Sequence, residues 1–337
     1  MRRALVTGAT GLVGSYTVER LLADGWVVRV LVRDPGRAGW LAALGVELVT
    51  GDVHEAGAVR RAATGCEAIV HAAAVVSPHA SWAAYRATNV EGTRNVVRAA
   101  RASGARLLHV SSVAVYGAEG RYRDAPTDEA AVLEPLPERE YYARSKREAE
   151  HIVLEAHQRG EIWAVALRPS WIYGKRDRQF IPRVAMLFRA PAVPLINGGR
   201  TTLPLVHAAN VVDGGMRALA TEGAGGQTYN VTNDYDVTLA DLVRLGAEGL
   251  GLRIGTVNVP LSAARAGLGV AKVIVAVVKG RMTASQGDST LIALSRNNPF
   301  SSDKARGELA WDPPVRPEVG IPEAFRWYRE HTGAFRR

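Results

Sequence analysis

The sequence contains a single cysteine, Cys66, among 337 residues. One thiol can form neither an internal disulfide nor a cysteine metal cluster, so the fold must rest on packing alone. Cys66 opens the apolar stretch Cys-Glu-Ala-Ile-Val, which is typical of a small core residue rather than a nucleophile. We expect no metal site in this protein.

Long hydrophobic runs are also missing. The apolar residues that follow the first three positions are too few for a signal peptide and lead directly into glycines. Residues 261–278 are apolar again, but Arg265 and Lys272 interrupt them well short of the ~20 residues of a membrane span. This segment is either a buried core helix, which we favour, or an amphipathic helix on a membrane or a bulky apolar substrate. We expect a cytoplasmic protein without an integral membrane segment.

Blocks of like charge are absent, although the formal net charge is +9. The arginines are scattered and no aromatic residues are interleaved with them, so we expect no nucleic-acid partner. The composition, with 47% hydrophobic and 22% charged residues, is typical of an ordinary globular protein with a basic surface.

Short β-branched runs alternate with helical segments through the first half of the chain. Predicted strands at residues 4–7 and 27–32, for example, enclose a segment with apolar residues at helical spacing. Parallel strands need such crossovers, so the pattern predicts an α/β fold with a doubly wound parallel sheet, the Rossmann fold.

The alternation breaks after Pro169, where prolines and glycines separate shorter elements. We expect residues 1–170 to form a dinucleotide-binding Rossmann core that also carries the catalytic residues. Residues 171–337 are expected to form mainly a smaller C-terminal substrate-binding lobe, because doubly wound sheets bind ligands at the carboxyl ends of their strands. No linker is evident, so the two parts should interleave.

The first predicted strand leads into Gly-Ala-Thr-Gly-Leu-Val-Gly at residues 8–14, and a helix follows. Glycines let the backbone approach a pyrophosphate, while the amino end of a helix offers unpaired N–H groups and a partial positive charge. Between a strand and a helix, this motif predicts a dinucleotide site.

The end of the second predicted strand bears on the choice between NADP and NAD. An NAD enzyme usually has a carboxylate there to bind the ribose hydroxyls, whereas this sequence has Arg33. A guanidinium pairs with a 2′-phosphate, and Arg37 is a second candidate for that role. We therefore expect NADP, with NAD favoured instead if Asp34 rather than Arg33 faces the ribose.

Tyr142 and Lys146 are four residues apart in a predicted helix, so their side chains lie on one face. A phenol has a pKa of about 10, and a nearby ammonium lowers it towards the range of proton transfer at neutral pH. Ser112, at the end of the fifth predicted strand, would hold a substrate oxygen. Its neighbour Ser111 is the alternative, since successive strand side chains point to opposite faces. Tyr141 is out of register with Lys146.

In this order, the glycine motif, the Ser-Ser-x-x-x-Tyr-Gly strand end and the Tyr-x-x-x-Lys helix resemble the extended short-chain dehydrogenases/reductases, the NAD-dependent epimerase/dehydratase family. Similar segments at residues 168–174, 205–212 and 304–313 extend the resemblance over almost the whole chain. The family usually has an Asp where this chain has Asn210, for which we expect a helix-capping role.

The resemblance implies further site residues. Asn89 would join Ser112, Tyr142 and Lys146 as a catalytic residue by bending its helix and holding a water linked to the lysine. The residues expected to contact the dinucleotide, from the motif and the resemblance together, are Gly8, Thr10, Gly11, Leu12, Val13, Gly14, Arg33, Asp52, Val53, Ala72, Ala73, Ala74, Lys146, Pro169, Ser170 and Ile172. For His71 we favour a structural role over a catalytic one.

Within that family, the residues favour the branch similar to 3β-hydroxysteroid dehydrogenases and dihydroflavonol reductases. Dehydratases usually have an acidic residue where Val113 stands, and tight NAD binding, usual in epimerases, is disfavoured by Arg33. We expect an NADP-dependent oxidoreductase that interconverts a ketone and a secondary alcohol on a fairly apolar small molecule (steroid-, polyketide- or flavonoid-like). A nucleotide-sugar 4-epimerase or 4-ketoreductase and a non-catalytic NADP-sensing regulator are the alternatives. The resemblance also implies a homodimer, through the helices that carry Asn89 and Tyr142.

Overall fold

The computed structural model describes residues 2–117, 126–232, 235–260, 262 and 297–335. The apolar segment at residues 261–278 lies outside these residues, apart from residue 262. Within the described ranges, no helix combines the length and the apolar character that crossing a membrane requires.

The described strands are β1 (Arg3–Thr7), β2 (Val27–Val32), β3 (Glu47–Thr50), β4 (Ala68–His71), β5 (Arg106–Val110), β6 (Ala164–Pro169), β7 (Trp171–Tyr173), β8 (Ala192–Ile196), β9 (Thr202–Leu203), β10 (Leu205–His207), β11 (Thr228–Val231), β12 (Val237–Thr238) and β13 (Gly255–Val259). The α-helices are α1 (Leu12–Ala23), α2 (Gly39–Ala42), α3 (Ala56–Ala63), α4 (Trp82–Tyr85), α5 (Gly92–Ser103), α6 (Tyr141–Gln158), α7 (Phe180–Ala185), α8 (Ala208–Ala220), α9 (Leu239–Leu250), α10 (Asp303–Glu308) and α11 (Pro317–Thr332).

The main sheet of the described chain has seven strands in the order β3-β2-β1-β4-β5-β6-β11, and every neighbouring pair is parallel. This order confirms the predicted doubly wound parallel sheet. The strand order reverses between β1 and β4, and such a switch point opens a crevice at the carboxyl ends of the strands.

Helices cover both faces of this sheet, which is why its central strands are apolar at almost every position. Side chains alternate along β5: Leu108 and Val110 pack into the cluster that contains residues of α1 and α8. Leu107 instead packs into the cluster with Ile152 and Val153 of α6. This alternation decides which side chains of β5 can meet the helix that carries Tyr142 and Lys146.

The helical stretch at residues 82–103 consists of three pieces. A π-helical turn at Arg86–Glu91 separates α4 from α5 and contains Asn89. Turns of this kind inside helices are often found at functional sites. Asn89 thus lies at a local change in helical winding, and the expected bend at this residue stays a prediction.

Residues beyond 170 contribute to two cores. A separate cluster of buried residues, which includes Ile181, Leu205, Val243 and Phe325, forms the core of the smaller lobe. In addition, β11 adds an edge strand to the main sheet and α8 packs on it beside α1. The two parts of the chain are interleaved in this way, while the boundary at residue 170 and the substrate-binding role of the lobe stay predictions.

Candidate active site

The turn between β1 and α1 is closely packed backbone. Gly8 has φ +73°, and a Cβ atom on it would lie 2.6 Å from the backbone nitrogen of Ala73. A Cβ on Gly14 would lie 2.2 Å from the carbonyl oxygen of Gly8. Only glycine fits at both positions, so this turn packs directly against the amino end of α1 and the segment after β4. Gly11 precedes the first turn of α1, and because it has no side chain, it cannot cap the free N–H groups at the amino end of this helix.

Charged side chains after β2 surround the position expected for the adenosine ribose. The side chain of Arg33 is 81% exposed, and its Nε lies 3.7 Å from Oδ2 of Asp52. Asp34 accepts a hydrogen bond of 2.9 Å from the Gly36 nitrogen and pairs with Arg37 at 3.4 Å. The Asp34 carboxylate is thus engaged by its own turn, whereas the Arg33 guanidinium faces solvent.

The segment after β6 lines the opposite end of the expected dinucleotide position. Pro169 is buried, Ile172 is half-buried in β7, and the buried Oγ of Ser170 has no hydrogen-bond partner within the described part of the chain. A close backbone cradle at one end and an unpartnered polar atom at the other fit a dinucleotide. A group of three or more potential metal ligands was not found in the described ranges.

Lys146 is buried in α6, and its Nζ donates a hydrogen bond of 2.5 Å to the carbonyl oxygen of Val110, at the end of β5. Burial lowers the pKa of Lys146 to about 8, and the Glu150 carboxylate opposes that shift. Tyr142 is half-buried one turn earlier, with its ring centroid 6.2 Å from that of Tyr85. The structure thus brings this face of α6 to the carboxyl end of the sheet.

Ser111 and Ser112 differ in environment. Ser112 is half-buried after β5, and its Oγ accepts a hydrogen bond of 3.1 Å from the Ala114 nitrogen, which caps the 3₁₀ turn Val113–Tyr116. Ser111 is only 3% exposed. Because a substrate must reach the hydroxyl, this geometry favours Ser112.

The side chain of Asn89 joins two neighbouring segments. Its Oδ1 accepts a hydrogen bond of 2.7 Å from the Val75 nitrogen, and its Nδ2 donates to the Val75 oxygen at 3.1 Å and to Oγ of Ser145 at 2.9 Å. Both Nδ2 hydrogens are used, so Asn89 links the segment after β4 to the helix that carries Tyr142 and Lys146.

His71 lies in a chain of hydrogen bonds that fixes its tautomer. Thr93 Oγ1 donates to the Asn89 oxygen at 2.6 Å, so it must accept from Nε2 of His71 at 2.9 Å. Nδ1 then accepts from Thr7 Oγ1 at 2.7 Å. Burial, together with the Lys146 ammonium, lowers the pKa of His71 to about 3. A neutral, fully bonded imidazole agrees with the structural role favoured above.

One buried network was missed in the sequence. Arg168 of β6 binds both carboxylate oxygens of Glu150 at 2.6–3.2 Å and donates to the Tyr116 hydroxyl at 2.9 Å. That hydroxyl donates to Oδ1 of Asn230 at 2.8 Å. The sequence signal that could have revealed this network is an arginine in an otherwise apolar strand, because a buried charge requires a partner. Glu150 follows Lys146 by one helical turn, so the network borders the candidate site.

The expected helix-capping role of Asn210 is wrong. His207 precedes α8 and caps it, with Nδ1 accepting from the Ala209 nitrogen at 3.2 Å. Asn210 lies inside the first turn, where its amide bonds both the nitrogen and the oxygen of Val315 at 2.8 Å. The backbone carbonyl oxygen of Asn210 accepts a hydrogen bond of 3.1 Å from Trp311 Nε1. Asn210 therefore fastens the C-terminal segment to α8.

The sequence model of the NAD dependent epimerase/dehydratase family matches residues 4–232. The chain belongs to this family. A 4-hydroxy-2-methyl-3-oxo-4-farnesyl-3,4-dihydroquinoline-1-oxide ketoreductase from Stigmatella aurantiaca is 33% identical over 95% of this chain and 94% of the relative. A 2-alkyl-3-oxoalkanoate reductase from Shewanella oneidensis is 31% identical over 76% of this chain and 68% of that protein.

Solved structures agree with this assignment. The dTDP-glucose 4,6-dehydratase DesIV of Streptomyces venezuelae, crystallised with NAD, superposes with a TM-score of 0.73. It is 26% identical, and the alignment covers 98% of each chain. The resemblance to extended short-chain dehydrogenases/reductases is confirmed, and the protein is an NAD(P)-dependent oxidoreductase of that type.

Proposed function

We propose that this family member is an NADP-dependent ketoreductase that interconverts a ketone and a secondary alcohol on a fairly apolar small molecule. The observation that carries the proposal is the placement of Tyr142 one helical turn before the buried Lys146, whose ammonium bonds the end of β5. Ser112 follows that strand end directly. A phenol, an ammonium and a hydroxyl beside a dinucleotide cradle form a proton-transfer group for hydride chemistry.

In the reductive direction, the Ser112 hydroxyl donates a hydrogen bond to the ketone oxygen and Tyr142 donates its phenolic proton to that oxygen. The nicotinamide, when bound, supplies the hydride that the carbonyl carbon accepts. The Lys146 ammonium favours the phenolate that remains on Tyr142. The buried Arg168–Glu150 pair is neutral overall, which leaves Lys146 as the unbalanced positive charge beside the phenol.

Support for NADP comes from the chain's own charges. Arg33 and Arg37 expose 81% and 88% of their side chains next to the expected ribose position, and Asp34 is bonded within its turn. A 2′-phosphate would meet two guanidinium groups there.

Support for a fairly apolar substrate comes from an aromatic cluster beside the candidate phenol. The Tyr85 ring lies next to Tyr142, and Tyr141 and Trp82 continue the cluster outward with ring centroids 5.9 Å apart. Tyr141 is 37% exposed, so apolar surface remains accessible. The ketoreductase from Stigmatella is named for a farnesylated substrate, which agrees with this surface. The nucleotide-sugar alternative remains because DesIV acts on a sugar nucleotide.

The test is the variant Tyr142→Phe, with Tyr141→Phe as the matched control on the adjacent ring. Oxidation of NADPH is followed by its absorbance with a panel of aromatic, prenylated and β-keto ketones. We expect Tyr142→Phe to lower kcat by about 10²–10⁴-fold, the usual contribution of general acid catalysis, while NADPH binding persists. Full turnover by Tyr142→Phe would refute the proposal, and conversion of a sugar nucleotide alone would support the epimerase alternative.

The homodimer implied by the family also belongs to this proposal. The outer face of α5 presents the exposed residues Arg94, Arg98 and Arg101, so an interface through this helix would be polar. The cytoplasmic location stays a prediction.

A further inference from the structure

Two polar side chains of β5 are buried on the face that meets α6. His109 is 1% exposed and Ser111, just after the strand, is 3% exposed. Neither ring nitrogen of His109 nor the Oγ of Ser111 has a hydrogen-bond partner within the described part of the chain. An unbonded buried polar group costs about 1–3 kcal/mol, so such groups normally bind water when no protein group serves them.

These two side chains lie on either side of the residue that anchors the candidate lysine. Lys146 Nζ bonds the carbonyl oxygen of Val110, which stands between His109 and Ser111 in the chain. Across the sheet, His109 is paired with Ala166, whose side chain is a single methyl group. An ammonium has three N–H donors, and the bond to Val110 uses one of them.

The other polar groups near Lys146 are committed elsewhere. Both nitrogens of His71 are bonded to threonines, and both Nδ2 hydrogens of Asn89 are used. The Glu150 carboxylate is held by Arg168. The titratable or charged groups that face Lys146 are therefore His71 from β4, His109 from β5, Tyr142 and Glu150 from α6 and, through Glu150, Arg168 from β6.

We propose that His109 and Ser111 hold a buried water molecule against Lys146 and, through it, keep the lysine protonated during turnover. They are positioning residues, since they act through Lys146 and do not touch the substrate. Water suits the site because it accepts from the ammonium while donating to a neutral imidazole nitrogen and to a hydroxyl. The inference rests on the proposed function.

His109 can serve as acceptor because it is neutral. Burial, the Lys146 ammonium and His71 hold the pKa of His109 well below its usual range. A hydrogen-bonded water that accepts from the ammonium favours the charged form of Lys146. Its removal should therefore lower the lysine pKa further below about 8.

The experiment uses His109→Phe and Ser111→Ala, with His109→Gln as the conservative variant. His157→Phe is the matched control, because this histidine also belongs to α6 but its Nδ1 lies 3.1 Å from the Ile162 oxygen, just before the amino end of β6 and away from Lys146. The first readout is the pH profile of kcat for ketone reduction. We expect the alkaline limb of His109→Phe and Ser111→Ala to move about 0.5–1 unit to lower pH, with partial return in His109→Gln.

The second readout does not depend on turnover. The titration of Lys146 in the full-length chain, followed by NMR of isotopically labelled lysine, should show the same downward shift of its pKa. An unchanged Lys146 titration in folded variants would overturn the inference, and so would an equal shift in His157→Phe. If His109→Phe does not fold, the Lys146 titration of the smaller change Ser111→Ala tests the inference. A loss of activity caused by an incorrect proposed function would leave the NMR titration unaffected.

Discussion

Arg33 favours NADP and its neighbour Asp34 favours NAD, so the choice of cofactor depends on which of the two side chains the local turn directs towards the ribose. From the sequence, either Arg33 or Asp34 could face the ribose. In the structure the Asp34 side chain accepts from the Gly36 nitrogen, so its charge is directed into the 3₁₀ turn at Pro35–Ala38. Asp34 thus acts as a cap, which leaves Arg33 as the residue that we propose for the 2′-phosphate.

The variant Arg33→Ala should discriminate between the two dinucleotides. Loss of a charge-assisted hydrogen bond to a 2′-phosphate costs about 1.5–3 kcal/mol, so we expect NADPH to bind about 10–100-fold more weakly. Binding of NADH, which lacks that phosphate, should change by less than about threefold. Both affinities can be measured by fluorescence titration.

Arg60→Ala, at an exposed position of α3, is the control for a general loss of positive charge. If Arg33→Ala weakens NADH and NADPH equally, the guanidinium does not read the phosphate, and Arg37 becomes the residue to test.

At the scale of elements, the contact between α1 and the glycine turn allows a direct test of the dinucleotide cradle. A methyl group on Gly14 would meet the Gly8 oxygen at 2.2 Å, so Gly14→Ala must push the amino end of α1 away from β1. We expect a loss of NADPH affinity of at least tenfold and a lower Tm, measured by fluorescence titration and thermal unfolding.

Gly39→Ala is the matched control, because a Cβ there meets no atom within 4 Å and the residue has an ordinary helical φ of −54°. It should leave cofactor binding unchanged and raise stability slightly, since alanine restricts the unfolded chain more than glycine does. Equal effects of the two substitutions would show that the cradle does not depend on the close approach at Gly14.

Elements with a strong local pattern were predictable from the sequence. The predicted strand at residues 27–32 matches β2, and the segment with helical spacing between the first two predicted strands contains α1. Apolar periodicity and glycine caps act within a few residues, so one sequence suffices to find them.

Features that depend on distant partners could not be read in this way. The pairing of β11 with β6 joins residues far apart in the chain, and Asn89 in the π-helical turn bonds Val75 and Ser145, which lie outside that turn. The cap of α8 was assigned to Asn210, yet Val315 competes for that amide. In each of these three places the observed structure involves hydrogen bonds between residues distant in sequence, which local propensity does not reveal.

At the scale of the whole molecule, three buried histidines couple folding to pH. Burial lowers the pKa of His71 to about 3 and that of His207 to about 4, and it holds the pKa of His109 well below the usual 6.5. The unfolded chain binds protons at these positions below about pH 6.5, whereas the folded chain does not. Stability is therefore complete above that pH and falls as the pH decreases.

The loss should be large between pH 7 and pH 5. For each histidine that stays neutral in the folded state, the free energy of unfolding falls by about 2 kcal/mol between pH 7 and pH 5. The combined decrease from the three histidines approaches the total stability of a typical domain. Below pH 5 the raised pKa values of the half-buried Glu129 and the buried Asp177 oppose the trend, because these carboxyls take up protons in the folded state. The window from pH 7 to pH 5 is consequently the one to measure.

Urea unfolding at pH 7, 6 and 5 tests this expectation with two variants. Replacement of the buried His207 by glutamine removes one titrating group, so it should lower stability at pH 7 but reduce its decline towards pH 5 by about one third. Replacement of His151, whose side chain is 77% exposed, should leave the decline unchanged. If wild-type stability is constant from pH 7 to pH 5, the histidines are protonated in the folded chain and the neutral His71–Thr93 bond described above cannot be correct.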